Sequence, residues 1–385
     1  MTAMARSLDA NGLDEILCLS LELGEREWKL TFGVGVGGRI RRRSVAPRDR
    51  AALLREIARA KEQMGLPADA RVVSCYEAGR DGFWLHRFLV AQGVENLLVD
   101  SSSIEVSRRR RRAKTDRLDG ESLLDLLQRH LTGGRRKVWS VVRVPTPEQE
   151  ARRHLHRELL TAKRDRTRVT NRIRGLLANQ GLTLELKGDV PARLDGLRLW
   201  DGSALAAELL ERLVREWEQV VFLTQQIEQL EEHRRELVRT SPDADIAKVR
   251  QLLTLRGIGS NAAWLFVMEF FGWRDLRNRR QVGALAGLAP TPHASGQEER
   301  ERGIGKDGSR WVRTLAIEIA WGWLRFQPES ALAKWYQRRF GHGSKRLRKI
   351  GIVALGRRLL VDLWRFAETG ALPEGAVLKP ELRVR

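Results

Sequence analysis

The chain has 385 residues, 42% of them hydrophobic, which is enough for two or three domains with a sizeable core. Lys and Arg total 70 against 49 acids, a net charge of +21 with a pI near 11.0, so a polyanion, nucleic acid, is the expected partner. No apolar run reaches the length of a membrane span, no leader of basic then apolar residues opens the chain, and Cys18 and Cys75 lack metal-ligand spacing; the expectation is a cytoplasmic protein with no membrane anchor and with buried, reduced thiols.

Residues 1–11 read as a loose tail. Glu15 to Leu23 is an apolar strand, and Glu27 to Val34 alternates as a half-buried one. After the Gly35–Gly38 turn, Arg39 to Val45 completes a meander. Pro47 opens a helix whose predicted apolar face is Ala51, Leu54, Ile57 and Ala58. Val72 to Tyr76 is a strand that ends at Glu77, Gly82 to Ala91 a helix, and Asn96 to Val99 a short strand. Strands alternating with helices after an antiparallel start predict a mixed α/β sheet, assigned to residues 1–145.

A boundary is placed near Pro145 and Pro147. Two long helical patterns follow, within residues 146–244. The first runs from Glu148 to Asn179 on a spine of Leu155, Leu159, Ala162, Val169, Ile173 and Leu176. Arginines such as Arg164, Arg168, Arg172 and Arg174 cover its other faces. The second runs from Ser203 to about Arg239 on Leu209, Leu213, Trp217, Val220, Leu223, Ile227 and Leu230. Such seams fit an antiparallel arm, a dimerising coiled coil, or two helices packed within one chain.

Residues 245–385 form the last region. Leu252 to Gly259, followed by a helix from Ala262 to Phe271, is a helix-hairpin-helix candidate whose Gly257 and Gly259 offer backbone N–H groups to a phosphate. Residues 285–308 read as a loop dense in glycine and charge, with Ser295 beside Gly296. Ser309 to Phe326 is a helix with Trp311, Leu315, Ile319 and Trp323 as core positions. A final helix ends near Thr369, and the tail from Gly370 reads as loose.

Chemistry concentrates around Lys114 to Gly120. Asp116 and Asp119 stand three apart at the start of a helix that continues through Leu123, Leu126 and Leu127, so they are neighbours on one side of its first turn. Two adjacent carboxylates repel, and a divalent cation held by oxygen ligands offsets them; an acidic first turn is equally an ordinary helix start. Glu22 and Glu77 end two strands, and ligand sites in α/β sheets gather where strand ends meet helix starts. Converging there, the four acids would make an oxygen cage for Mg²⁺ suited to chemistry at phosphorus. The run Arg108, Arg109, Arg110, Arg111 and Arg112, with Lys114, reads as a loop that holds a nucleic-acid backbone.

In order and spacing, these motifs resemble the DEDD transposases of bacterial insertion sequences. The matching stretches are Glu22, Tyr76-Glu77-Ala78-Gly79, Lys114 to Asp119, Leu253 to Gly259, Gly287 to Pro290, Ser295-Gly296, and Gly305 to Gly308 with Arg313. The resemblance spans about residues 15–370; many members carry Asp where this chain has Glu22. It implies a RuvC-like, RNase H type catalytic domain and a C-terminal transposase domain. It also implies a structured guide (bridge) RNA that pairs with element and target DNA, and a homo-oligomer, from dimer to tetramer. Ser295 would be the nucleophile, forming a phosphoserine, with Glu22, Glu77, Asp116 and Asp119 as Mg²⁺ ligands and Lys306 and Arg313 among the nucleic-acid contacts. A nucleoid-associated bacterial protein follows. Two other readings stay open: a junction nuclease that uses water, and a nucleic-acid-binding protein without catalysis.

Overall fold

The computed structural model describes residues 10–79, 82–104, 116–133, 138–295, 298–306 and 308–380. The chain divides into two compact units, Met1–Pro145 and Thr146–Arg385.

The first unit is built on a five-stranded sheet of order β3-β2-β1-β4-β5. Its strands are β1 (Leu17–Leu23), β2 (Trp28–Gly33), β3 (Ile40–Val45), β4 (Val72–Glu77) and β5 (Glu95–Val99). The first three pair antiparallel as a meander, whereas β1–β4 and β4–β5 pair parallel. The parallel pairings need crossovers, supplied by α1 (Arg50–Gln63) and α2 (Trp84–Ala91). Both faces of the sheet are covered. Leu17, Leu19 and Leu21 of β1 join Val72 and Tyr76 of β4 in a core with α1 and α2. Cys18 of β1 and Val73 and Cys75 of β4 enter a separate core with α3 (Asp116–Leu131), through Leu123, Leu124 and Leu127. The buried face of α1 is Leu53, Ile57 and Ala60, with Ala51 and Ala58 exposed. Asp49 caps this helix by accepting from the Ala52 backbone N–H, and its buried face is rotated from the one the sequence pattern suggested.

The approach of α3 to the sheet is set by one glycine. A Cβ on Gly120 would lie 2.7 Å from the Thr31 Oγ1, and the bare backbone lets the Ser20 hydroxyl donate to the Gly120 carbonyl at 2.7 Å. At the far end of the helix, Gln128 donates to the Gly35 carbonyl at 2.7 Å. Gly120 is level with Ser20, and Gln128 lies beyond the N-terminal end of β1. The helix therefore runs antiparallel to β1, with its first turn toward the strand's C-terminal end.

The second unit opens with α4 (Pro147–Ala178), started by a reciprocal capping box between Thr146 and Gln149. After the short α5 (Val190–Asp195), α6 (Ala207–Thr240) returns antiparallel along α4. Leu159, Ala162, Val169, Ile173 and Leu177 meet Leu213, Val220 and Ile227, and Arg172–Glu216 and Lys163–Glu231 pair across the seam at 2.9 and 2.5 Å. Of the three arrangements the seams allowed, this is the antiparallel pair within one chain.

The remaining elements are α7 (Ala244–Thr254), α8 (Ser260–Phe266) running into a π-helical turn (Val267–Phe271), α9 (Arg279–Leu285), β6 (Pro290–Ser295), β7 (Glu298–Ile304), α10 (Arg310–Phe326), α11 (Ala331–Tyr336) and α12 (Lys345–Thr369). The expected glycine-rich loop is thus an antiparallel hairpin, β6–β7. The core face of α10 is Val312, Ala316, Ala320 and Trp323, one position on from the expected Trp311, Leu315 and Ile319, which pack only partly buried around it. Small residues face inward because α12 comes close: a Cβ on its Gly356 would lie 3.0 Å from the Ala316 carbonyl oxygen. From Gly370 to Pro380 the tail is not loose. Leu378 bridges to Leu255, Val377 donates to the Gln327 amide oxygen at 2.8 Å, and Lys379 Nζ donates to the Leu253 and Ile258 carbonyls at 2.7 and 2.8 Å.

Glu269, in the π-helical turn, is 5% exposed and ion-paired to Arg157 at 2.7 Å and Arg153 at 3.3 Å. Burial alone would raise its carboxyl, but the hydrogen bonds and charges of the two arginines hold it below the ordinary carboxylate range. Nearby on α4, His156 is 1% exposed, and among the described residues neither ring nitrogen has a hydrogen-bond partner. Burial, then the charge of Arg234, pushes its pKa down to about 4.

Two outcomes follow. Gly120→Val should destabilise the first unit by about 1–2 kcal/mol, the overpacking cost minus the helix propensity gained on losing glycine; unchanged urea unfolding would contradict the close docking of α3. For His156 the unfolded chain takes up a proton below pH 6.5 that the folded chain refuses until about pH 4. Stability is therefore lost as pH falls through that window, by about 1.5 kcal/mol between pH 6.5 and 5. Replacing His156 with Leu should flatten the unfolding free energy over that interval by this amount.

Candidate active site

In β1 and β4 the residues facing α3 are Cys18, Ser20 and Glu22, and Val73, Cys75 and Glu77, because side chains alternate across a strand. The parallel register pairs Leu21 with Tyr76. One step further, Glu22 and Glu77 are side by side at the C-terminal ends of neighbouring strands and on the same face. Adjacent strands lie about 4.8 Å apart, so the two carboxylates can reach a common ligand. Glu22 is half-buried and Glu77 exposed.

The first turn of α3 comes to this end of the sheet. Asp116 is its first residue, one turn before the Gly120 contact with Ser20. The backbone of Asp116 and Asp119 therefore belongs to the same corner as Glu22 and Glu77; the side chains of residues 116–119 lie outside the described residues. All four donors are carboxylates, an oxygen set that suits a hard divalent cation such as Mg²⁺. Lys29, opposite Glu22 on β2, was not singled out from the sequence. Its Nζ sits 3.6 Å from Glu27 and puts a positive charge on the flank of the acidic corner. Only the strand register could have revealed it.

The cysteines beneath this corner are inert. Burial pushes the Cys18 thiol up to about 12, and burial, then Cys18 and Glu77, push Cys75 well above the ordinary range. Neither thiol is therefore a candidate nucleophile.

Arg108, Arg109, Arg110, Arg111, Arg112 and Lys114 lie outside the described residues. In the second unit, Ser295 ends β6, opposite Glu298 in the hairpin register; its side chain also lies outside them. The two glycine motifs around the hairpin form its base. Gly305 N–H donates to the Ala289 carbonyl and Lys306 N–H to the Gly287 carbonyl. Gly308 adopts φ +93°, and a Cβ there would fall 2.1 Å from the Leu285 carbonyl oxygen, so only glycine fits. Lys306 takes a left-handed conformation, φ +61°, and its carbonyl accepts from Arg313 Nη1 at 2.8 Å. The motifs thus brace the hairpin carrying Ser295 against the start of α10. At the other glycine turn, Gly257 has φ +91° and packs on Phe326, and the neighbouring Arg256 and Ile258 carbonyls accept from Gln327 and Lys379. The chain's own tail therefore covers one side of the turn, whereas Gly259 stays exposed.

Comparison with known proteins places these features. Residues 249–337, from α7 into the π-helical turn that follows α11, match the model of the "Transposase IS116/IS110/IS902 family". The chain is 40% identical over 378 residues, 94% of each sequence, to the "Putative transposase y4rJ" of Sinorhizobium fredii. It is 30% identical to the "Probable family 20 transposase" of Pseudomonas aeruginosa over 58% of this chain and 65% of that protein. To the "Transposase for insertion sequence element IS1328" of Yersinia enterocolitica it is 26% identical, over 67% of this chain and 73% of that one. With so extensive a match to y4rJ, the chain belongs to the IS116/IS110/IS902 family of insertion-sequence transposases.

Proposed function

We propose that this transposase cleaves and exchanges DNA strands through a serine-linked intermediate, guided by a structured RNA from its own element. The observation that supports this reading most is the acidic corner. Glu22 and Glu77 end adjacent parallel strands on one face, and the helix facing them begins with Asp116 and Asp119.

In this reading the Ser295 hydroxyl attacks a backbone phosphorus. Its oxygen forms a new ester as the bond from phosphorus to the leaving sugar oxygen breaks. The serine proton is given up, and the leaving oxygen gains one. The phosphoserine conserves the bond energy, so an incoming sugar hydroxyl can reverse the step and rejoin a different strand. A serine hydroxyl needs activation to do this. Mg²⁺, held by Glu22, Glu77, Asp116 and Asp119, would supply charge stabilisation at the phosphoryl oxygens. The remaining residues bind and orient: the arginine run 108–112, Lys114, Lys306 and Arg313 supply positive charge for DNA or RNA backbones. A guide RNA is consistent with a net charge of +21, the excess left after every acid, those of the corner included, is counted. Exchange joins several DNA ends, so a dimer or tetramer is the working form.

Asp119→Ala should lower strand exchange by at least about 100-fold, the loss of several kcal/mol of charge stabilisation, while DNA and RNA binding persist. Ser295→Ala should abolish the covalent protein–DNA adduct seen on denaturing gels. Cleavage that continues in this variant without an adduct would mean that water is the nucleophile. Omitting the non-coding RNA transcribed from the element's flank should stop exchange altogether; full activity without it would remove the guide from the scheme.

A further inference from the structure

The seam of α6 carries one residue that does not belong in an apolar stripe. Four positions after Leu230 the pattern calls for another apolar side chain, and Arg234 stands there instead, 4% exposed. Its Nη1 donates to Asn261 Oδ1 at 2.9 Å and its Nη2 to the Ser260 carbonyl at 2.9 Å, and the guanidinium lies 5.0 Å above the Trp264 ring. Its Nε has no hydrogen-bond partner among the described residues. No carboxylate among them forms an ion pair with it either; the nearest acid, Glu231, is engaged by Lys163. A buried cation without a contacting anion is costly, and such a group needs an explanation.

Arg234 lines a cavity of about 360 Å³ between α6, α7 and the start of α8. Val238, Val249 and Leu253 make its apolar wall, and Ser260 and Asn261 add polar groups beside the arginine. Arg235 and Arg239 stand at its rim, both exposed, each held only by an acid three residues earlier on the same helix. Such intrahelical pairs are weak and exchange readily for another anion. The volume falls in the range of small-molecule pockets and exceeds what a lone phosphate needs. A flat ring rich in acceptors suits the interior, where the buried Arg234 guanidinium faces apolar walls and the Trp264 ring; the Glu231 carboxylate also lines the cavity. A phosphate suits the rim.

We propose that this cavity receives one unstacked nucleotide of a nucleic-acid strand, its base inserted beside Arg234 and Asn261 and its phosphate at Arg235 and Arg239. Single strands are held elsewhere by this combination of base burial and a cationic track. Arg234 would recognise ring nitrogens or carbonyl oxygens, which a guanidinium reads well and which every base carries in some arrangement. The site is built wholly within the second unit and needs no residue of the acidic corner, so it stands or falls independently of the serine mechanism.

The test uses the full-length protein and short single-stranded oligonucleotides, DNA and RNA in parallel, each with one 2-aminopurine, a base whose fluorescence rises when it leaves the stack. Arg234→Gln removes the buried charge. Because it also breaks the clamp onto α8, a second variant, Ser260→Phe, fills the mouth from an exposed position and leaves Arg234 in place. With the unmodified protein, fluorescence should rise on binding to at least one strand type. Both variants should lose that rise and weaken binding about 10-fold, the worth of one buried base. Unchanged affinity and fluorescence in a folded Ser260→Phe protein would overturn the proposal. So would a free nucleoside monophosphate that competes as well as the strand, since the cavity would then serve a small molecule. Competition by inorganic phosphate that Ser260→Phe does not alter would also overturn it, because the anion would then be bound outside the cavity.

Discussion

Everything at the acidic corner depends on how closely a helix can lie on a sheet. A helix that follows a loop can dock at many heights and angles, and its first turn moves with it. Here the freedom is removed by the absence of a side chain at Gly120, which brings the α3 backbone onto Thr31 and lets the Ser20 hydroxyl bond directly to a helix carbonyl. That bond engages a carbonyl inside the helix, so it adds to the helix's own ladder instead of competing with it. The anchor lies one turn from Asp116 and two residues from Glu22. A shift of the helix by one residue along its axis, about 1.5 Å, would move its first turn relative to the strand ends. The rest of α3 is the apolar face of Leu123, Leu124 and Leu127, pinned at its far end by the Gln128 bond to the Gly35 carbonyl.

The second unit uses polar groups in a different way. Its long helices hold together through an apolar seam, yet near their base the packing includes His156, Arg234 and the Glu269 pair with Arg153 and Arg157. Buried ion pairs contribute little to net stability, but their geometry admits few alternatives. A pair of helices with only leucines between them can slip in register. One that must bring Arg157 onto Glu269 and Arg234 onto Asn261 has a single solution. The helix-turn-helix of α7 and α8 is thereby tied to the arm at a fixed angle, and through the hydrophobic core it shares with α10 the base of the Ser295 hairpin is tied as well.

Much of this could be read from the sequence where periodicity is unambiguous. The strands β1, β2 and β4 and both long helices lie within a few residues of their expected limits, because alternation and the three-four repeat are strong signals over those lengths. The errors have a common cause. On α10 the larger residues Trp311, Leu315 and Ile319 were assigned to the core, but it is the small Ala316 and Ala320 that face inward, since the approach of α12 leaves no room for bulk. On α1 the face turned inward is Leu53, Ile57 and Ala60, while Ala51 and Ala58 stay exposed. The hairpin at 290–304 and the anchored tail depend on partners distant in sequence, which no local pattern encodes. The same holds for the acidic corner. Glu22 and Glu77 were identifiable as strand ends, but that they stand side by side follows from a parallel pairing across 55 positions of chain, and Lys29 could not be found without it.

The charge balance of the chain bears on why such a corner can work at all. Carboxylates gathered at one point repel both each other and the phosphate backbone they must meet. A protein of neutral surface would have to overcome that repulsion with local contacts alone. Here 70 basic residues give a field that attracts a polyanion from a distance, while close contacts decide where it stops. On α4 the exposed Arg164, Arg168, Arg172 and Arg174 surround an apolar spine, so the positive charge is carried on the outside of a rigid rod. Such a surface binds without regard to sequence, as phosphate contacts do. In the reading proposed above, specificity would reside in groups that meet bases, polar side chains held in partly apolar surroundings as the buried Arg234 and its partner Asn261 are. The division of labour is physical. In the proposed scheme diffuse charge supplies affinity, the acidic corner a place for chemistry, and the buried Arg234 a means of telling one strand from another.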